Sequence, residues 1–299
     1  MPAANLIRLD GPVDLAATLF PLRRGYRDPT TRVSAREAVR ALRTPEGPVT
    51  LRLTQVEPDA VEIRAVGSGT DRAIEVEARG LIGADDDPAA LVLADDDPLL
   101  PIRRRHPGVR LTRVAVMPVL FAAIVEQKVT GAEARQGWRG LVLGTSERAP
   151  GDDDLWLPPD PARVAETPSF AFHPWGIERR RAEVVRTVAS RAARIEAFVA
   201  SSELRAWLER LPGIGAWTTA ETARLALGDP DAVSVGDYHL PHLVAWLLAG
   251  EPRGDDDRML ALLEPYRGQR GRVQRLLEAT GVRPPAFGPR VEARPVARW

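Results

Sequence analysis

Leu211-Pro212-Gly213-Ile214-Gly215 is too rich in glycine and proline to be helical, yet helical apolar spacing abuts it on both sides. Leu204, Trp207, Leu208 and Leu211 keep that spacing before it, and Trp217, Ala220, Leu225 and Leu227 after it, until Gly228 stops the second pattern. The segment from Leu204 to Leu248 therefore starts as helix, tight hairpin, helix. Glycines at 213 and 215 allow close backbone approach. The first N–H groups of the second helix lack partners and carry the positive end of its dipole. Gly213, Ile214, Gly215 and Thr218 thus form a turn suited to a phosphate.

Asp237 stands twenty positions beyond Trp217, in Val235-Gly236-Asp237-Tyr238-His239-Leu240. With LPGIGAWTTA before it, this arrangement resembles the helix-hairpin-helix signature of the base-excision DNA glycosylase superfamily, and within it the alkyladenine (3-methyladenine type II) branch. Hairpins of this kind also occur in non-catalytic DNA-binding proteins, so the correctly spaced Asp-Tyr carries more weight than the glycines. The resemblance implies a partner, double-stranded DNA containing damaged bases, with Asp237 catalytic and Trp217 and Tyr238 placed to receive the extruded base. Aspartate before a helix is also a preferred N-cap, and the two roles can coexist.

Texture along the chain predicts an α+β protein: an N-terminal antiparallel sheet domain with helices over 1–110, an all-helical domain over 111–283, and a Pro- and Arg-rich tail over 284–299. Residues 49–53, 60–66 and 73–77 alternate apolar with polar and are expected as strands, joined by 15–20, with a covering helix over 34–42. The DDDP runs beginning at 85 and 95 read as helix N-caps with an acidic first turn. From Leu111 helical patterns dominate. Met117 to Val125 is apolar on nearly every side, and Thr130 with Glu133 forms a capping box for the next helix.

Between these two helices lies Gln127-Lys128-Val129-Thr130. Lys128 is the only lysine; the other 40 basic residues are arginine. In the resembling family this segment supplies the residue, usually apolar, that enters the duplex where the damaged base leaves. Lysine departs from that pattern and is read as a phosphate contact, a gap filler through its alkyl stem, or a surface residue. Gln127 and Lys128 are counted with the substrate-binding residues. Trp175, in a Pro-Trp-Gly loop, either contacts the base or closes a core edge.

Composition narrows the chemistry. With no cysteine the chain has no disulfide, thiolate zinc site or Cys-ligated iron–sulfur cluster, which removes the cluster-bearing branches of the superfamily. His239 and His242 share a spacing of three but lack further ligands, so no metal site and no cofactor are expected. A monovalent cation at the hairpin stays open, since carbonyls there bind one in some relatives. The formal net charge is zero, and Asp triplets at 85, 95, 152 and 255 offset Arg103 to Arg105 with Arg110 and Arg113, Arg179 to Arg181, and an excess of six positive charges from Arg267 onward. Each basic cluster reads as solvated surface or as a DNA face. No stretch is apolar enough to span a membrane and MPAANLIRLD is no signal peptide, so the expectation is a cytoplasmic, nucleoid-associated monomer with no membrane contact.

The expected reaction follows from where charge develops. Breaking the bond between deoxyribose and a damaged purine leaves positive charge on the sugar, which a nearby carboxylate stabilises. Bifunctional glycosylase-lyases of this superfamily carry a Schiff-base lysine at the hairpin position that Trp217 fills here, and tryptophan forms no imine. The sequence thus predicts a monofunctional alkylpurine glycosylase, with an oxidised-purine glycosylase-lyase and a non-catalytic DNA-binding module as the alternatives.

Overall fold

Val49, Leu51 and Leu53 alternate with Thr50 and Arg52. In the computed structural model, which describes residues 5–285, all three are fully buried in the central strand of a sheet. The strands are β1 (Asn5–Arg8), β2 (Thr31–Val33), β3 (Glu37–Thr44), β4 (Gly47–Glu57) and β5 (Ala60–Gly67), paired antiparallel in the order β1-β5-β4-β3-β2. Register places Leu53 between Ala38 of β3 and Ile63 of β5, so one face is continuously apolar. A two-stranded hairpin, β6 (Arg148–Ala149) and β7 (Asp152–Trp156), covers part of the opposite face.

Three expected elements differ. Residues 34–42, expected as a covering helix, contain most of β3. Ala38 and Leu42 face the main core while Val39 and Ala41 pack with Ala149, Leu155 and Leu157. A strand buried on both faces loses the alternation that identifies it. Residues 15–20, expected as a strand, form helix α1 (Leu15–Leu19), capped by Asp14, whose carboxylate accepts from the Ala17 N–H at 2.8 Å. Residues 73–77, also expected as a strand, are a π-helical turn joining α2 (Thr70–Arg72) to α3 (Ala78–Leu81), with Ala73, Ala78 and Leu81 directed inward. A five-residue alternation is too short to separate the two periods.

Downstream come α4 (Leu100–Arg105), α5 (Val116–Val125), α6 (Gly131–Thr145), α7 (Pro161–Glu166), α8 (Arg179–Ala189), α9 (Ala192–Glu196) and α10 (Ser201–Leu208). The last four are α11 (Ala216–Ala226), α12 (Leu240–Ala249), α13 (Asp256–Leu263) and α14 (Arg270–Ala279). Helix α5 is buried along nearly its whole length, and its first N–H groups, at Val116 and Met117, donate to the Glu196 carboxylate at 2.8 and 2.7 Å. The Thr130–Glu133 capping box opens α6. Asp87 and Asp97 accept from the N–H groups two residues on, and Asp255 caps α13.

The apolar residues gather in two principal cores. One joins the sheet to α5, α6, α8, α10 and α11 through side chains such as Leu51, Phe121, Val185, Leu204 and Leu225. The other joins α4 to α12, α13 and α14 through Ile102, Val244, Met259 and Val273. Residues 91–109, which the expected boundary at 110 groups with the sheet, pack in this second core.

Several arginines expected on basic faces are internal instead. Arg110 is 2% exposed and donates to the carbonyls of Asp10, Gly11, Pro12, Gly83 and Asp86. Arg181 donates to Val125 and Gly176 carbonyls, and Arg272 grips both oxygens of Asp86. A guanidinium's five fixed donors let it tie loops together without a carboxylate for each. Among the described residues no helix is long and apolar enough to cross a membrane. Most of the expected tail, residues 286–299, lies outside the described residues.

Candidate active site

The hairpin joins α10 to α11 and lies on α8. At Gly213, with φ of +87°, a Cβ would stand 2.5 Å from Val184 Cγ2, so backbone conformation and close packing both require glycine. Ile214 anchors the turn: it is buried, and its N–H donates to the Leu211 carbonyl at 3.1 Å. Gly215 is exposed, a Cβ there would meet nothing within 4 Å, and no side chain caps the helix it opens. The first intrahelical bond runs from Thr219 to Gly215, which leaves the N–H groups of Ala216, Trp217 and Thr218 without helical partners.

The side chains of Ile214 and Thr218 point inward, so of these two residues it is the Thr218 backbone N–H that stays available to a phosphate. Thr218 Oγ1 instead accepts from Gln127 Nε2 at 2.8 Å, and the same amide donates to the Gly213 carbonyl at 3.0 Å. Gln127, expected among the substrate-binding groups, has both amide hydrogens committed to bracing the hairpin. Its neighbour Lys128 is exposed and, with φ of 53°, is the one non-glycine residue with positive φ among those described. That conformation costs an L-residue about 1 kcal/mol.

The second half of the site is a turn held from behind. Gly236, with φ of +89°, donates its N–H to the Asp256 carboxylate, and Asp237 N–H donates to the Ser234 carbonyl at 3.2 Å. Asp237 Oδ1 accepts from the N–H groups of His239 and Leu240 at 2.7 and 2.9 Å, which caps α12. Its Oδ2 accepts from the Trp217 indole at 3.0 Å. Both side chains are half-buried. Because α11 belongs to one core and α12 to the other, this bond crosses the seam between them. The bonds to the start of α12 and the bond to Trp217 fall on different oxygens.

Tyr238 is 76% exposed, edge-on to the rings of His239 and His242 at 4.9 and 6.3 Å. His242 Nδ1 accepts from the Gly254 N–H at 3.2 Å, so it serves the loop before α13. Among the described residues no group of three or more His, Asp or Glu could hold a metal ion. The hairpin carbonyls of Leu211, Gly213 and Gly215 each already accept a hydrogen bond, leaving only their second lone pairs for a cation.

Trp175 is drawn into the core edge. It ends a 3-10 turn, Ser169–Trp175, with its ring against Gly140 and Gly144 of α6 and edge-on to Phe172 at 5.0 Å. Two glycines a helical turn apart make the slot that holds it, which the Pro-Trp-Gly motif alone does not reveal.

The structure adds a charged pair that local sequence could not supply. Arg24 Nη1 donates to both oxygens of Glu126 at 3.0 and 3.2 Å, across 102 positions. Burial raises the Glu126 carboxyl above the usual carboxylate range; Arg24 opposes this, while Glu221 and Asp237 raise it further. Behind the Asp237 turn, Ser234 donates to Glu221, Glu221 pairs with Arg224, and Arg224 reaches Glu278 at 3.0 Å. A cleft of 380 Å³ lies elsewhere, between residues 26–32 and Arg139 of α6, with no wall from the hairpin or the Asp237 turn.

No protein-family model and no curated protein matches the sequence. Solved structures do match the fold. A 3-methyladenine DNA glycosylase from Archaeoglobus fulgidus superposes with a TM-score of 0.78 at 16% identity, over 92% of this chain and 97% of that one. An 8-oxoguanine glycosylase/lyase from Clostridium acetobutylicum, in complex with double-stranded DNA, gives 0.72 at 12% identity over 94% and 97%. A 3-methyladenine DNA glycosylase from Schizosaccharomyces pombe, in complex with abasic DNA, gives 0.52 at 13% over 65% and 96%. The α+β fold is that of the helix-hairpin-helix DNA glycosylases.

Proposed function

We propose that this chain, having the helix-hairpin-helix glycosylase fold, is a monofunctional DNA glycosylase that releases alkylated purines from double-stranded DNA. The observation that carries the reading is the convergence of the uncapped start of α11 with Asp237, through the Trp217 bond. The hairpin offers N–H groups and open space at Gly215 to a backbone phosphate. A strand held there brings one nucleotide beside the carboxylate.

Extrusion of the base costs a few kcal/mol, offset by backbone contacts and by the weakened stacking of a damaged base. Lys128, exposed at the turn between α5 and α6, would fill the gap with its alkyl stem. As the C1′–N9 bond breaks, its electron pair leaves with the purine and positive charge grows on the sugar. Asp237 meets that charge; at about 4 Å and an effective dielectric near 20 the pair is worth about 4 kcal/mol, roughly a thousandfold in rate. Water adds to C1′ and loses a proton, leaving an intact abasic site. N3- and N7-alkylated purines depart readily because they are already cationic, and the faces of Trp217 and Tyr238 suit such bases.

A glycosylase-lyase reading finds no amine at position 217, and Lys128 is the chain's only lysine. Borohydride should trap no covalent enzyme–DNA adduct. Incubating the protein with methylated duplex DNA and assaying free 3-methyladenine and 7-methylguanine tests the proposal. Binding without release would reduce the chain to a DNA clamp.

A further inference from the structure

The Arg24–Glu126 pair is unused by the mechanism above. Glu126 follows the last turn of α5 and directly precedes Gln127, whose amide is bonded to Gly213 and Thr218, so its backbone is fixed against the hairpin. Both carboxylate oxygens accept from the same Arg24 nitrogen, which leaves further lone pairs on each. Arg24 is 11% exposed and Glu126 26%, so the carboxylate is the less enclosed of the two. Arg24 is itself anchored, its N–H donating to Asp28 at 2.5 Å.

Gln127, next to Glu126, is bonded to Thr218, and Trp217, next to Thr218, is bonded to Asp237, so the carboxylates of Glu126 and Asp237 flank one short chain of contacts. Glu221 and Asp237 both disfavour the charge on Glu126. Glu221 is committed to Ser234 and Arg224. Asp237 is committed to Trp217 and the start of α12. Of the three, Glu126 is the one held by a single arginine alone. A site with this surplus of negative charge is stabilised by a ligand that brings a positive one.

Resting on the glycosylase reading, we infer that Glu126, oriented by Arg24, is a specificity-determining residue that favours cationic over neutral purines in the extruded state. A cationic 7-methylguanine placed beside it gains an attraction that hypoxanthine, a neutral purine, does not. Asp237 acts on the sugar for both substrates, so the two carboxylates separate by lesion.

The test measures single-turnover release of 7-methylguanine and of hypoxanthine from otherwise identical duplexes, with affinity for an abasic-site duplex as a reference that contains no base. Glu126→Gln is expected to slow 7-methylguanine release at least ~10-fold, with hypoxanthine release altered less than about 2-fold or undetectable in both proteins, and abasic-site affinity unchanged. Arg24→Met/Glu126→Gln, which removes both charges and leaves no unpaired guanidinium, should give the same loss, with thermal melting confirming that it folds. An equal slowing of both lesions, weaker abasic-site binding, or undiminished 7-methylguanine release would each overturn the inference. So would a loss confined to hypoxanthine, which would make Glu126 a proton donor to the leaving base. Wild-type protein that releases neither lesion would sink the glycosylase reading itself, and the inference with it.

Discussion

The indole N–H of Trp217 reaches Oδ2 of Asp237 across 3.0 Å, linking the first turn of the hairpin helix to the turn that carries the carboxylate. With Oδ1 held by the N–H groups of His239 and Leu240, the carboxylate is fixed at both ends. Such orientation matters because electrostatic stabilisation requires the charge to be in place before the reaction begins.

Trp217→Phe keeps the aromatic face and removes the donor. Base release should fall about 10-fold, with affinity for abasic-site DNA changed less than about 2-fold. Single-turnover rates beside binding isotherms check this, and an unchanged rate would show that the indole bond does not orient Asp237.

The two hairpin glycines should respond in opposite ways. Gly213→Ala meets Val184 at 2.5 Å in a left-handed backbone, so it should lose about 2 kcal/mol or more of stability by urea melts. Gly215→Ala has open space and ordinary φ, and should melt within about 0.5 kcal/mol of wild type. Its added methyl stands where a phosphate would approach, so its defect should appear as weaker duplex binding.

Lys128→Gly relieves a left-handed conformation and should stabilise the protein by about 1 kcal/mol. The same change removes the side chain assigned to the gap left by the base. Release from duplex DNA should slow relative to release from a single strand, where no gap needs filling.

The hairpin and Asp237 were legible because they depend on spacing within one short segment. The sheet was legible where one face is wet, as in β4, and misread in β3, which is buried on both faces. The roles of Gln127, Thr218 and Trp175 depend on contacts with residues remote in the chain, on Gly213, Gly140 and Gly144. Arg24 and Glu126 meet across 102 positions, and no local motif announces such a pair. Counting arginines suggested basic faces, but Arg110, Arg181 and Arg272 are structural, because folding decides which guanidinium groups find carbonyls.

Acid should loosen the support behind Asp237. Burial works against the Glu278 carboxylate, yet Arg224, Arg275 and the Gln274 amide hold it below the usual carboxylate range. A lowered folded pKa contributes stability above the unfolded value of about 4.3, and that contribution is lost as pH falls through the folded value. Glu126 and Glu196, both raised by burial, act in the opposite sense, so the comparison is between wild type and Glu278→Gln. The variant should lose about 3 kcal/mol at pH 7, and the gap to wild type should close in acid below about pH 4. Urea melts across that range read it directly.

The central claim is that the Asp237 carboxylate stabilises charge on the sugar, and Asp237→Asn tests it with the least disturbance, since asparagine still caps a helix. Single-turnover release of 7-methylguanine should fall at least ~100-fold while the melting curve and abasic-site affinity stay near wild type. Release at the wild-type rate by a folded, DNA-binding Asp237→Asn protein would contradict the account.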